Sequence, residues 1–304
     1  MHYPDYPFNS HFVDIRGYKL HYLDEGPRDA DVIVMVHGNP SWSFYYRRLV
    51  LALKGNYRCI VPDHIGMGLS EKPLAAQYPF MLARRVEDLG ALLDQLDITG
   101  NITLVVHDWG GMIGMAWASL HPERIKRLVI LNTAAFHLPA GKHLPLSLKL
   151  SRIPLLNALL NQGFNAFCRG AVRYGVTRRP MDADVAAAYL APYDNWANRV
   201  AVRRFVEDIP LQPGDLGYDI VSAVAEGLAR FRQLPMLICW GMRDFVFDEH
   251  FLDGWTERFP AAELHRFADA GHYVLEDAHE QIVPLVQDFL ARHRIGTPSK
   301  SAQS

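Results

Sequence analysis

The sequence predicts an α/β fold: a mostly parallel central sheet flanked by helices on both faces, with one helical segment inserted. Three observations predict it. Short β-branched runs such as Val32–Val36 and Ile102–Val106 alternate with segments of helical spacing, the pattern of strands joined by crossover helices. Val32–Val36 shows no polar alternation, as expected of a strand covered on both faces. From about Thr133 to Gln233 no strand pattern is found, and strands then resume.

In chain order, Phe12–Ile15 and Lys19–Leu23 flank Arg16-Gly17-Tyr18 and read as a β-hairpin. Val32–Val36 ends at His37-Gly38-Asn39-Pro40, and an aromatic helix follows over Trp42–Leu53. Tyr57–Val61 is the next strand. Phe80–Leu96 carries apolar residues at helical spacing (Leu82, Val86, Leu89, Leu92, Leu93, Leu96). Ile102–Val106 leads into a helix ending near Leu120, and Arg127–Leu131 follows. The segment 133–233 reads as a helical cap, rich in Ala, Leu and aromatics (Phe136, Phe164, Phe167, Tyr174, Tyr189, Tyr193, Trp196, Phe205). Most of these aromatics should pack the cap itself, and a few should line a pocket. Leu234–Trp240 and Glu263–Phe267 are the last strands, with helices at Phe251–Phe259 and Gln281–Arg292. Residues 1–132 and 234–295 thus form the core, 133–233 the cap and 296–304 a disordered tail. No internal repeat is found.

The 304 residues are 49% hydrophobic and 21% charged, with a net charge of -2. That balance gives no electrostatic case for nucleic acid or an anionic membrane. No apolar run reaches the roughly 20 residues that span a bilayer, and MHYPDYPFNSHF has neither a basic n-region nor an apolar h-region. Three cysteines cannot all pair; Cys59 and Cys239 fall in strand runs as small core residues, and Cys168 stands alone. This usage fits a reducing cytoplasm. No metal or cofactor motif is read.

The chain is organised around Val105-Val106-His107-Asp108-Trp109-Gly110-Gly111. A strand, a sharp turn and a helix with a reactive residue at the apex make a nucleophile elbow, the hallmark of α/β-hydrolases. The apex here is Asp108 rather than Ser, and a carboxylate is anionic at neutral pH without help from a base. Val106, two residues earlier, departs from the usual Gly. By itself HDWGG also fits a plain strand-to-helix turn with Asp108 as N-cap. Four strand ends supply one polar group each: Asn39, Asp108 with Trp109, Asp244, and His272. Catalytic groups collect at such ends, and nucleophile, acid, histidine is the chain order of α/β-hydrolases. His272 is then the base that activates water, and Asp244 the group that holds its imidazole.

HGNPSWSFYYRRL, VPDHIGMGLSEKP, HDWGGMIG, WGMRD and AGHYVLED resemble the haloalkane dehalogenase branch of the α/β-hydrolases over nearly the whole chain. The resemblance implies that Asp108 attacks the substrate carbon. Asn39 and Trp109 then hold the departing anion through side-chain N–H groups, and their backbone N–H groups form an oxyanion hole. Asn132 stands where some relatives carry the acid, so that role goes to Asp244. LNTAAFHLPAGKHLPL and LAPYDNWANRVAVRRFVEDIPL are similar to the β-lactone decarboxylases of long-chain olefin biosynthesis. That likeness implies conversion of cis-3,4-dialkyl oxetan-2-ones to cis-alkenes and CO2, a hydrophobic small-molecule substrate, and assembly with other olefin-biosynthesis enzymes. Haloalkane dehalogenase activity is the alternative, and which carbon Asp108 attacks stays open. An epoxide hydrolase would use two cap tyrosines, for which Tyr174, Tyr189 and Tyr193 are candidates, but Asn39 speaks against it. Fluoroacetate-type dehalogenases place Arg where Trp109 stands. A non-enzymatic receptor on this fold would tend to lose a triad member, and none is missing here.

Overall fold

The apolar strand runs pair into one sheet in the computed structural model, which describes residues 3–150 and 153–295. The strands are β1 (His11–Ile15), β2 (Tyr18–Glu25), β3 (Val32–Val36), β4 (Arg58–Pro62), β5 (Ile102–Asp108), β6 (Ile125–Thr133), β7 (Met236–Gly241) and β8 (Glu263–Phe267). Their spatial order is β1-β2-β4-β3-β5-β6-β7-β8. β2 pairs antiparallel with β1 and β4, and every later pairing is parallel. The tail predicted over 296–304 lies outside the described residues.

Alternate side chains of each central strand enter different cores, as the period of two requires. Val34, Val36, Leu104, Val106 and Ile130 pack on one face, beneath α2 (Leu82–Gln95) and α3 (Trp109–Leu120). Ile33, Met35, Val105, Val129 and Leu131 pack on the other. There they meet α1 (Arg47–Leu53) and the long C-terminal helix over Val274–Arg292. Cys59 and Cys239 belong to that second core, and all three cysteines are buried and free.

Between β6 and β7 the described residues form helices and turns: α4 (Leu146–Leu150), α5 (Pro154–Asn157), α6 (Ala166–Tyr174), α7 (Ala183–Leu190), α8 (Val200–Glu207) and α9 (Tyr218–Gly227). α9 lies beside α3: Arg230, just beyond it, donates to the Ser119 carbonyl at 3.1 Å. α10 (Glu249–Arg258) and α11 (Val274–Arg292) complete the chain. α11 begins seven residues before the predicted Gln281, since Val274, Leu275 and Ala278 are buried in the second core. A non-helical Ala278 bends this first turn, which hides its periodicity from the sequence. No described helix is long and apolar enough to cross a membrane.

Candidate active site

β5 delivers Asp108 into a turn that few residues tolerate. Its backbone stands at φ 51° and ψ -128°, a sparsely populated conformation for a side-chain-bearing residue and one that marks functional sites. The turn survives because its neighbours lack bulk. A Cβ on Gly110 would lie 1.9 Å from the Val36 carbonyl oxygen, and one on Gly111 1.9 Å from Thr133 Oγ1. The Thr133 hydroxyl in turn donates to the Asp108 carbonyl. The Asp108 side chain makes no capping bond to α3, so the plain N-cap reading of HDWGG does not hold. Instead Oδ1 accepts the backbone N–H of Asn39 at 2.6 Å. Gly38 permits this approach, since a Cβ there would meet Oδ1 at 1.9 Å.

The four strand ends do converge. His272 Nε2 is 3.7 Å from Asp108 Oδ2, and His272 Nδ1 is 2.8 Å from Asp244 Oδ2. Asp244 is fixed from behind: its Oδ1 accepts the N–H groups of Val246 at 2.7 Å and Phe247 at 3.1 Å. Its Oδ2 also accepts Asn132 Nδ2 at 3.1 Å. Asn132 thus holds the Asp244 carboxylate in place, a contact the sequence reading missed. Asn132 exchanges bonds with Gly241 as well, accepting its N–H at 2.8 Å and donating to its carbonyl at 3.0 Å. His107, just before Asp108, makes a 2.9 Å hydrogen bond from Nε2 to the His272 carbonyl and so steadies the histidine loop.

Burial raises the Asp108 pKa above the ordinary carboxylate value, although His272 and the backbone N–H groups of Asn39 and Trp109 oppose it. For His272, burial pulls downward, but the Asp244 and Asp108 carboxylates outweigh it and hold the imidazole above its ordinary value. Both groups are thus pushed upward, each by a different leading cause.

Asn39, Asp108, Trp109 and His272 line one cavity of about 750 Å³, within the usual range for small-molecule sites. Its walls are mostly apolar. Phe136, Phe167 and Tyr174 contribute from the predicted aromatic set, while Phe164 and Trp196 face solvent and Tyr189, Tyr193 and Phe205 are packed away. Met112, Phe245, Phe247 and Phe251 also line it, so the pocket is not built by the insertion alone. The run Phe245-Val246-Phe247 directly after Asp244 was the signal available for this. The phenol of Tyr189 donates to Glu276 at 2.6 Å, and that of Tyr193 lies 3.4 Å from the Ser41 carbonyl. Two of the three candidate tyrosines are thus committed elsewhere, which removes the paired donors an epoxide hydrolase would need.

Fold and site together define an α/β-hydrolase with a carboxylate at the elbow. The family model described as alpha/beta hydrolase fold matches residues 31–279. Similar chains include the cis-3-alkyl-4-alkyloxetan-2-one decarboxylase of Shewanella oneidensis, 56% identical over 284 residues, 93% of this chain and 89% of that protein. The protein of the same name from Xanthomonas campestris pv. campestris is 51% identical, covering 96% of this chain and 99% of its own. Among solved structures, the haloalkane dehalogenase DbeA from Bradyrhizobium elkani superposes with a TM-score of 0.83 at 23% identity, over 94% of this chain and 98% of its own. The chain belongs to the α/β-hydrolase fold family, in the branch that holds these decarboxylases.

Proposed function

We propose that this protein is a β-lactone decarboxylase, converting cis-3,4-dialkyl oxetan-2-ones to cis-alkenes and CO2. The observation that carries the reading is a carboxylate, Asp108, that accepts the Asn39 backbone N–H and shares the wall of an apolar cavity of about 750 Å³ with Asn39 and Trp109. The full-length similarity to chains named for this reaction supports it.

Asp108, His272 and Asp244 form the catalytic triad in this mechanism. An Asp108 oxygen attacks ring carbon C4 from the side opposite the ring oxygen. The C4–O bond breaks, and the ring oxygen leaves as part of a carboxylate on C3. Asn39 and Trp109 face that developing anion, as preorganised donors should. The bond from C3 to the carboxylate carbon then breaks. Its electron pair forms the C3=C4 double bond while the Asp108–C4 bond opens, releasing CO2 and restoring the free carboxylate. Inversion at C4 followed by anti departure leaves the two alkyl groups cis. Attack at the carbonyl would give an anhydride with no comparable route to an alkene. No water is consumed, so His272 serves as a cation that makes Asp108 a better leaving group, held by Asp244. The cavity's apolar walls take the alkyl arms.

Hydrolytic dehalogenation is the second reading, favoured by the same Asn39–Trp109 pair; there His272 must act as a base toward water. On the first reading the protein works in olefin biosynthesis alongside the enzymes that make its lactone, in the cytoplasm, where three free cysteines stay reduced. Residues 133–233 act as the cap over a core of 1–132 and 234–295. The test offers the purified protein a cis-dialkyl β-lactone and, separately, a brominated alkane, and assays alkene and bromide. Fast alkene formation supports decarboxylation; rapid bromide release without alkene contradicts it.

A further inference from the structure

Behind the two leaving-group donors lies a buried ion pair that the mechanism above does not use. Arg85 on α2 is 1% exposed. Its Nη1 donates to Asp208 Oδ2 at 2.9 Å, and Asp208 is the residue that closes α8. The guanidinium carbon lies 3.6 Å from the centre of the Phe205 ring and 5.8 Å from that of Trp109. Phe205 and Trp109 meet edge to face, with ring centres 5.3 Å apart. One turn earlier on α8, the Val202 carbonyl accepts Asn39 Nδ2 at 3.1 Å. A single short helix therefore touches both donors.

Stability alone is a poor account of this arrangement. Arg85 Nε and Nη2 are buried with no hydrogen-bond partner among the described residues, and a half-satisfied buried guanidinium is costly. Packed over aromatic rings it gains cation–π attraction. Its field reaches Trp109 through protein rather than water, where screening is weak.

We propose that Arg85 and Asp208 are positioning residues for anion stabilisation. The pair pins α8 to α2, so that Phe205 sets the Trp109 indole and the Val202 carbonyl sets the Asn39 amide. The guanidinium adds positive potential where the ring oxygen departs as carboxylate. This inference rests on the leaving-group roles proposed for Asn39 and Trp109.

Replacing a buried ion pair by apolar residues of similar volume is commonly neutral or stabilising, which separates the two accounts. The double variant Arg85→Met, Asp208→Leu should fold with a thermal midpoint at or above that of the parent. Its kcat for the β-lactone should fall about tenfold or more, with KM little changed because the cavity walls hold the alkyl arms. Arg85→Lys, which keeps the charge without the planar fork, should recover part of the kcat lost in Arg85→Met. A folded double variant with parental kcat overturns the proposal. If the double variant does not fold, Phe205→Leu removes the ring that couples Arg85 to Trp109 and should give the same kcat-selective loss; an unchanged kcat overturns the proposal there. Trp109→Phe in the parent background tells the two levels apart. A parental rate in that variant defeats the leaving-group reading itself, while a slow Trp109→Phe beside a fast double variant defeats only the role of Arg85 and Asp208.

Discussion

His272 Nε2 faces Asp108 Oδ2 across 3.7 Å, and on its far side the same imidazole is tied to Asp244 at 2.8 Å. Two carboxylates outweigh the downward pull of burial on His272, and burial lifts Asp108 although His272 opposes it. Both groups titrate above their ordinary values. In the proposed mechanism alkene formation needs ionised Asp108 but no neutral imidazole, so its rate should persist as pH falls below 6.5, the ordinary histidine value, and fail only as Asp108 takes a proton. Bromide release needs neutral His272 and should fail at higher pH. Rate–pH profiles on both substrates check this, and coincident acid limbs contradict it.

Isotopic water follows the fate of the Asp108 oxygens. Hydrolysis of an alkyl ester at its carbonyl carbon places one water oxygen in Asp108, whereas elimination returns both original oxygens. After many turnovers of β-lactone in H2¹⁸O, the peptide containing Asp108 should carry no label by mass spectrometry. Any turnover of a brominated alkane should label it. Label after lactone turnover would show that the ester is hydrolysed.

Gly38→Ala tests the close approach beneath Asp108. The added carbon would sit 1.9 Å from Asp108 Oδ1, so the carboxylate or the Asn39 loop must move. Relieving that clash takes a shift of about 1 Å or more, which costs about a hundredfold in rate. The expected variant is folded by circular dichroism and has kcat lowered by about that factor; a parental kcat contradicts the geometry.

Asp63 should report on stability rather than chemistry. Buried without exposure, it accepts the N–H of Ser43 at 2.6 Å and of Leu69 at 2.8 Å, and pairs with His21 Nδ1 at 2.8 Å. Burial alone would raise its pKa, but His21 first, then His37 and the Leu69 N–H, hold it at about 2, against an ordinary 3.8. A depressed carboxylate stabilises the fold above its unfolded pKa and loses that contribution as pH drops through the folded value. The amount is on the order of 2 kcal/mol. Asp63→Asn should therefore unfold at lower urea at neutral pH, with the gap to the parent narrowing as pH falls from about 4 toward 2. A gap that does not vary with pH contradicts this.

What the sequence made legible is what local pattern encodes. Val32–Val36 and Ile102–Val106 announce central strands because both faces are buried. Asp108, Asp244 and His272 could be paired in advance because chain order and strand ends place them before any side chain packs. Contacts through space were not legible. Asn132 reads as an absent acid, yet it holds Asp244. Phe245 and Phe247 fall between the predicted strand end at Asp244 and the helix at Phe251 and carry no pattern of their own, yet they line the cavity. Tyr189 and Tyr193 looked available for catalysis until their hydroxyl partners were placed. α8, whose Val202 and Phe205 reach Asn39 and Trp109, gave only a helical period in an aromatic stretch.

The most direct measurement is alkene output from a cis-3,4-dialkyl β-lactone by Asp108→Asn beside the parent enzyme. An amide keeps the shape of the side chain but loses the negative oxygen that the proposed attack on carbon requires. The account predicts a folded variant that yields no alkene above the uncatalysed background, while the parent turns over to cis-alkene and CO2. Alkene formed by Asp108→Asn at the parental rate would contradict it.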